Sequence, residues 1–122
     1  MLPLKLFSHF SSINASNTYL IGPDHDGAAI LIDPGSFDLT MLELIEGNGF
    51  YISEVLITYK HFNHAGGLNT LLKIYDARVI AGAPLVMGHS SQEAEHGRIG
   101  HVNGLRYEVF CVKGHHPDSR IY

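Results

Sequence analysis

Residues 57–68, ITYKHFNHAGGL, place His61 and His64 three positions apart, between a strand-like apolar run and a Gly-Gly pair. Imidazole is the commonest metal ligand and the usual acid-base group near neutral pH. Two imidazoles in one short loop therefore suggest a metal site or part of one. Tyr59 and Asn63 stand beside them, where a strong site would prefer histidine and aspartate. Further along, GHHPDS at 114–119 offers His115 and His116. Nine histidines in 122 residues is an enrichment, but position must decide which of them do chemistry.

The elements that would carry these loops follow from apolar periodicity and turn residues. LPLKLFSHF, NTYLIG and GAAILID read as strands, the last two joined as a hairpin through the turn formers of PDHDG at 23–27. The third strand stops at Asp33-Pro34-Gly35, because proline lacks the ladder donor. A helix is expected over 38–46, with Asp38 as N-cap and Leu39, Leu42 and Ile45 on its apolar stripe. GNG at 47–49 ends it. SEVLIT is a strand leading into the histidine loop, and Leu68, Leu71, Leu72 and Tyr75 space a second helix. ARVIAG is the next strand, and 83–97 is read as a short helix and a loop. RIGHVNGLRYEVFCVK reads as a hairpin about the type I′ signal Asn103-Gly104, and RIY starts another strand. The plan is mixed α/β, with helices covering a mostly β layer. AILI and VFCV are apolar on both faces, so the second sheet face needs a layer for which little chain remains.

Composition bounds the function classes. The chain suits one compact domain. A net charge of -4 without a basic cluster argues against nucleic acid. No apolar run is long enough to cross a membrane, and the first residues lack the features of a signal peptide. The single cysteine, Cys111, excludes an internal disulfide. A cytoplasmic location is the default expectation. Cys111 is read as buried and structural, and His9, His25, His89, His96 and His101 as surface or turn residues.

In order and spacing, NTYLI, LIDPG, VLIT, HFNHAGGL and GHHPDS resemble the landmarks of the metallo-β-lactamase superfamily, most closely its glyoxalase II-like metal-dependent hydrolases. The resemblance spans nearly the whole chain. It implies the first half of a four-layer αββα sandwich, with a mixed sheet covered by helices on one face, and hence a single truncated domain over 1–122. The family pattern is a strand ending in threonine, then His-x-His-x-Asp-His, then Gly-Gly-Leu. Thr58, His61 and His64 keep their positions; Tyr59 and Asn63 replace a ligand histidine and the ligand aspartate. His115 keeps the metal position of the later motif, and Asp33 matches an aspartate that braces the metal loop; a plain turn aspartate is the alternative.

These departures matter chemically. A neutral phenol is a poor zinc ligand, and an amide oxygen binds zinc more weakly than a carboxylate. Neither site of the family's two-metal centre reaches three protein ligands by inheritance. Three readings stay open. His61, His64 and His115 converge on one metal, with zinc favoured over iron or manganese; the histidines line a polar pocket with no tightly bound metal; or another chain supplies the missing ligands. The corresponding functions are a metal-dependent hydrolase with weak or no activity in this chain alone, and a non-catalytic self-association or binding module. The second apolar sheet face is expected to form a two-fold homodimer.

Overall fold

The computed structural model describes residues 4–11, 16–59, 65–111 and 119–122. Two antiparallel hairpin strands begin the chain: β1 (Leu4–Ser11) and β2 (Ser16–Pro23). An exposed turn over 24–26 leads to β3 (Gly27–Ile32), antiparallel to β2. Helix α1 (Leu39–Gly47) follows, and the Asp38 carboxylate accepts from the Met41 N–H at 3.0 Å, as an N-cap should. Strand β4 (Phe50–Leu56), helix α2 (Leu68–Ile74) and strand β5 (Arg78–Ala81) complete two crossovers, so β3, β4 and β5 run parallel.

The segment expected to hold a short helix contains none. Residues 85–93 form strands β6 (Leu85–Val86), β7 (His89–Ser90) and β8 (Gln92–Glu93). The first two pair as a small hairpin, and β8 joins the parallel edge beside β5. Met87 and Gly88, both at positive φ, make the reversal that the sequence reading missed. Strands β9 (Ile99–Val102) and β10 (Leu105–Glu108) pair about Asn103-Gly104, both at positive φ, as expected of that dipeptide. The main sheet is mixed, in the order β1-β2-β3-β4-β5-β8.

Alternation along the strands divides the core in two. One face packs Leu20, Leu31, Ile52, Val55 and Ile57 against Met41 and Ile45 of α1 and Leu68 and Leu71 of α2. A bulge at β4 preserves this division. Ile52 faces Ala29 while Glu54 faces Ile30, so Ser53 is the extra residue and Val55 returns to the helix side. The other face is not bare, contrary to the sequence expectation. Ile30, Leu56 and Ile80 are covered by Val102, Leu105, Tyr107 and Val109 of the β9–β10 hairpin and its exit. The remainder of that face, on β1 and β2, stays open. Strand β10 ends at Glu108, and of the described part of VFCV, residues 109–111, Phe110 makes an isolated bridge to Ile121. Cys111 is consequently exposed, correcting its assignment to the core.

Candidate metal centre

Strand β4 ends at Leu56, and the next two peptide units launch the histidine loop. Every backbone polar group there has a partner from a different part of the chain. The Ile57 N–H donates to Ile80 O at 2.9 Å, extending the parallel ladder one step. Ile57 O accepts from the Tyr122 hydroxyl at 2.7 Å. The Thr58 N–H donates to an Asp33 carboxylate oxygen at 2.7 Å, and Thr58 O accepts from the Arg120 N–H at 2.7 Å. The Thr58 hydroxyl adds a 2.5 Å bond to the second Asp33 oxygen. A carboxylate can accept several such bonds, and anionic acceptors make them stronger than neutral ones.

Asp33 is buried and sits just beyond β3, at φ 53. Its own N–H donates to Leu56 O at 3.0 Å, and its carbonyl accepts from the Thr18 hydroxyl at 2.8 Å. The turn it opens closes tightly, with the Gly35 N–H on Asp33 O at 2.7 Å. The far side of the histidine loop is fastened to the same turn. Gly67 donates its N–H to Pro34 O at 2.7 Å, so the chain leaves for the loop at Thr58 and returns at Gly67 against one short segment.

The second histidine segment is closed in a similar way. Phe110 and Ile121 exchange backbone bonds of 2.8 and 3.0 Å, and Arg120 then reaches Thr58 O. The Arg120 guanidinium donates to Ala94 O at 2.5 Å. Thus the described ends of both histidine segments meet at the carboxyl ends of the parallel strands, where open α/β sheets place their ligands. Burial raises the Tyr122 hydroxyl pKa well above its usual range, and the nearby Asp33 carboxylate adds to the shift. The phenol is therefore held as a neutral donor.

Of the sequence-predicted site residues, Asp33 and Tyr59 are described. Asp33 accepts from the Thr58 N–H and hydroxyl at the end of the strand that leads into residues 60–64. Tyr59, directly after the Thr58 anchor, is half-buried. His61, Asn63, His64, His115 and His116 lie outside the described residues. His96 and His101 are exposed and His89 is half-buried; the His96 Nδ1 accepts from the Cys111 N–H at 3.0 Å. Among the described residues, no three His, Cys, Asp or Glu side chains are grouped to hold a metal. Sequence reasoning missed Tyr122 and Arg120, which were read only as the start of another strand.

The anchors permit a test of fit on donor chemistry. The sequence offers three imidazoles, His61, His64 and His115, all outside the described residues, a number suited to one zinc ion with water in the fourth position. Tyr59 and Asn63 do not supply the extra anionic and imidazole donors of a two-metal centre.

Similarity to known proteins agrees with this frame. A sequence profile described as the metallo-beta-lactamase superfamily matches residues 13–118. A hydroxyacylglutathione hydrolase of Chromohalobacter salexigens is 32% identical over 104 residues, which are 82% of this chain and 39% of that protein. An atrochrysone carboxyl ACP thioesterase of Cryptosporiopsis is 29% identical over 116 residues, 91% of this chain and 35% of that one. The crystal structure of ETHE1 from Myxococcus xanthus superposes with a TM-score of 0.78 at 25% identity, covering 95% of this chain and 52% of the other. The chain thus spans under two fifths of the length of these two curated relatives. With the profile matching most of its length and the fold superposing on a solved relative, the chain belongs to the metallo-β-lactamase superfamily.

Proposed function

We propose that this chain is the metal-loop unit of a metal-dependent hydrolase, with His61, His64 and His115 holding a single zinc ion and Asp33 bracing the loop from behind. The observation that carries this reading is Thr58, which bonds Asp33 on one side and Arg120 on the other. That arrangement ties the start of one histidine segment to the end of the other. The superfamily generally binds metal ions, often zinc. When bound, the metal lowers the pKa of a water molecule and supplies a nucleophile at neutral pH.

The chain's own residues set the limits of that chemistry. Asp33 accepts both Thr58 donors and fixes the direction in which the loop leaves the sheet. Tyr59 offers a neutral phenol in place of an imidazole, and Asn63 an amide that cannot take up a proton as a carboxylate base does. The names of the two curated relatives, a hydroxyacylglutathione hydrolase and an ACP thioesterase, support acyl thioesters as the substrate class. We expect weak hydrolysis or none from this chain alone, because the second metal position lacks its carboxylate.

The test is metal content of the untagged chain by inductively coupled plasma mass spectrometry, beside His61→Ala. One zinc per chain, lost in the variant, supports the reading; trace metal unchanged in the variant overturns it. Restoring Tyr59→His with Asn63→Asp should tighten retention during dialysis against chelator. A second reading, a self-association module, is favoured by the open part of the sheet face, where Leu4, Leu6 and Phe10 are 51%, 60% and 58% exposed. In that reading the occupant is a second copy of this chain.

A further inference from the structure

Strands β9 and β10 pair only with each other, as a two-stranded sheet laid over β3, β4 and β5. Among the described residues, no backbone hydrogen bond joins either strand to those three. An isolated hairpin is marginal in water, so this one depends on what holds it down. Its foot is tied firmly, because the Arg98 guanidinium donates to Glu93 O at 2.9 Å and to Gln92 Oε1 at 2.8 Å, both on β8. Its tip is tied weakly, with Asn103 Nδ2 3.4 Å from Ala28 O. In between, Val102, Leu105 and Tyr107 remain 5%, 8% and 9% exposed, whereas Leu20, Leu31, Leu68 and Leu71 of the first core are at 0%. The seal is therefore looser on this face. At its centre the Tyr107 hydroxyl donates to buried Glu54 at 2.5 Å. Tyr107 stands opposite Gly100, where a Cβ would fall on the Tyr107 ring. Glycine there lets the ring lie across β9 and bring its hydroxyl down to the carboxylate.

We propose that the β9–β10 hairpin is a latched cover, which opens as a unit above its Arg98 foot while the six-stranded sheet stays folded, with the Tyr107–Glu54 bond as the latch. Local opening in cooperative units of this size is general in folded proteins. The opened state uncovers Ile30, Leu56 and Ile80 and joins them to the groove floor of Leu4, Leu6 and Ile21. The closed cover confines the exposed apolar face to β1 and β2. Opening does not strand the carboxylate, because Glu54 keeps the Arg78 guanidinium at 2.8 Å, and that side chain is already 58% exposed. A hydrogen bond to a charged acceptor is strong enough to change an opening equilibrium tenfold or more. No histidine of the metal reading takes part, so the inference stands apart from it.

The test is native-state hydrogen exchange on the untagged full chain, comparing amides of β9 and β10 with those of β3, β4 and β5 in wild type, Tyr107→Phe and Ile52→Val. In wild type the hairpin amides should exchange at least tenfold faster than the sheet amides. Dilute urea should accelerate them less, since a local opening exposes less surface than unfolding. Ile52 packs on the helix side, in the other core. Its truncation weakens a contact that the opened state keeps, so Ile52→Val should speed exchange in the sheet several-fold and leave the hairpin unchanged. Tyr107→Phe keeps the ring, loses the latch, and should speed hairpin exchange about tenfold. If Ile52→Val speeds hairpin and sheet equally, the hairpin opens only with global unfolding and the cover is overturned. If Tyr107→Phe leaves hairpin exchange unchanged, the latch is overturned.

Discussion

Gly67 and Gly47 both adjoin helices, and the structure gives them opposite roles. A Cβ at Gly67 would lie 2.5 Å from the Ser36 carbonyl carbon, 2.7 Å from Phe37 N and 2.8 Å from Pro34 O. These are backbone atoms of the very turn that Asp33 opens, so they cannot swing aside. Gly47 ends α1 with nothing within 4 Å of its would-be Cβ and no positive φ. Gly67→Ala should therefore cost about 1–3 kcal/mol through overpacking, while Gly47→Ala should gain about 0.5–1 kcal/mol by restricting the unfolded chain. Urea titrations of the two variants check both signs. The sequence pattern marked Gly67 as part of a loop motif, and the structure supplies its reason, which is close approach rather than an unusual dihedral. Asp33 was legible in the same way, from its place before Pro34-Gly35. Tyr122 was not, because its partners are carbonyls, and a carbonyl leaves no mark in the identity of the residue that bears it.

At the scale of elements, β4 joins the two cores through its bulge. Ser53 shifts the alternation so that Glu54, 1% exposed, points into the second core. There it accepts from the Tyr107 hydroxyl at 2.5 Å and from Arg78 at 2.8 Å. The hairpin β9–β10 is thus keyed to the sheet by a charged acceptor as well as by packing. Burial, and after it the hydrogen bond to Glu54, raises the Tyr107 pKa above its ordinary value; burial does the same for Tyr122. Both phenols favour the neutral form when folded. Their contribution to stability is complete below the unfolded tyrosine pKa of about 10 and falls as pH climbs above it, since the folded state then holds more protons. Denaturant midpoints should stay level on this account up to that pH and drop beyond it, with a smaller drop in Tyr107→Phe. Hairpins were readable where the turn residues were orthodox. Asn103-Gly104 was found for that reason, whereas Met87-Gly88 was missed because methionine rarely takes the left-handed conformation. The exposure of Cys111 was missed because VFCV reads as strand in isolation, whereas the Cys111 N–H bonds the exposed His96 ring rather than a neighbouring strand.

Across the whole molecule, the two sheet faces are finished unequally. Helices cover one face, and the β9–β10 hairpin covers the β3–β5 part of the other. Register places Leu6 opposite Ile21 and Ser8 opposite Tyr19, with Ile21 opposite Ile30. Leu4, Leu6, Phe10 and Tyr19 therefore share the side of the second core, and all four are exposed. A groove of 490 Å³ runs between Leu4 and Leu6 on one flank and Leu105, Phe110 and Tyr122 on the other. Strand β1 is also the sheet's outer edge, with backbone groups facing away from β2. Contiguous apolar surface next to an open edge favours association over isolation in water. The proposed self-association predicts a two-fold dimer by light scattering at low micromolar concentration. Leu6→Lys should yield a folded monomer, because Leu6 is 60% exposed within a single chain and contributes little to that chain's own core, with a melting temperature lowered only by the lost association. A wild-type chain that stays monomeric and soluble under those conditions would sink the proposal. A dimer that survives Leu6→Lys would move the interface away from this face.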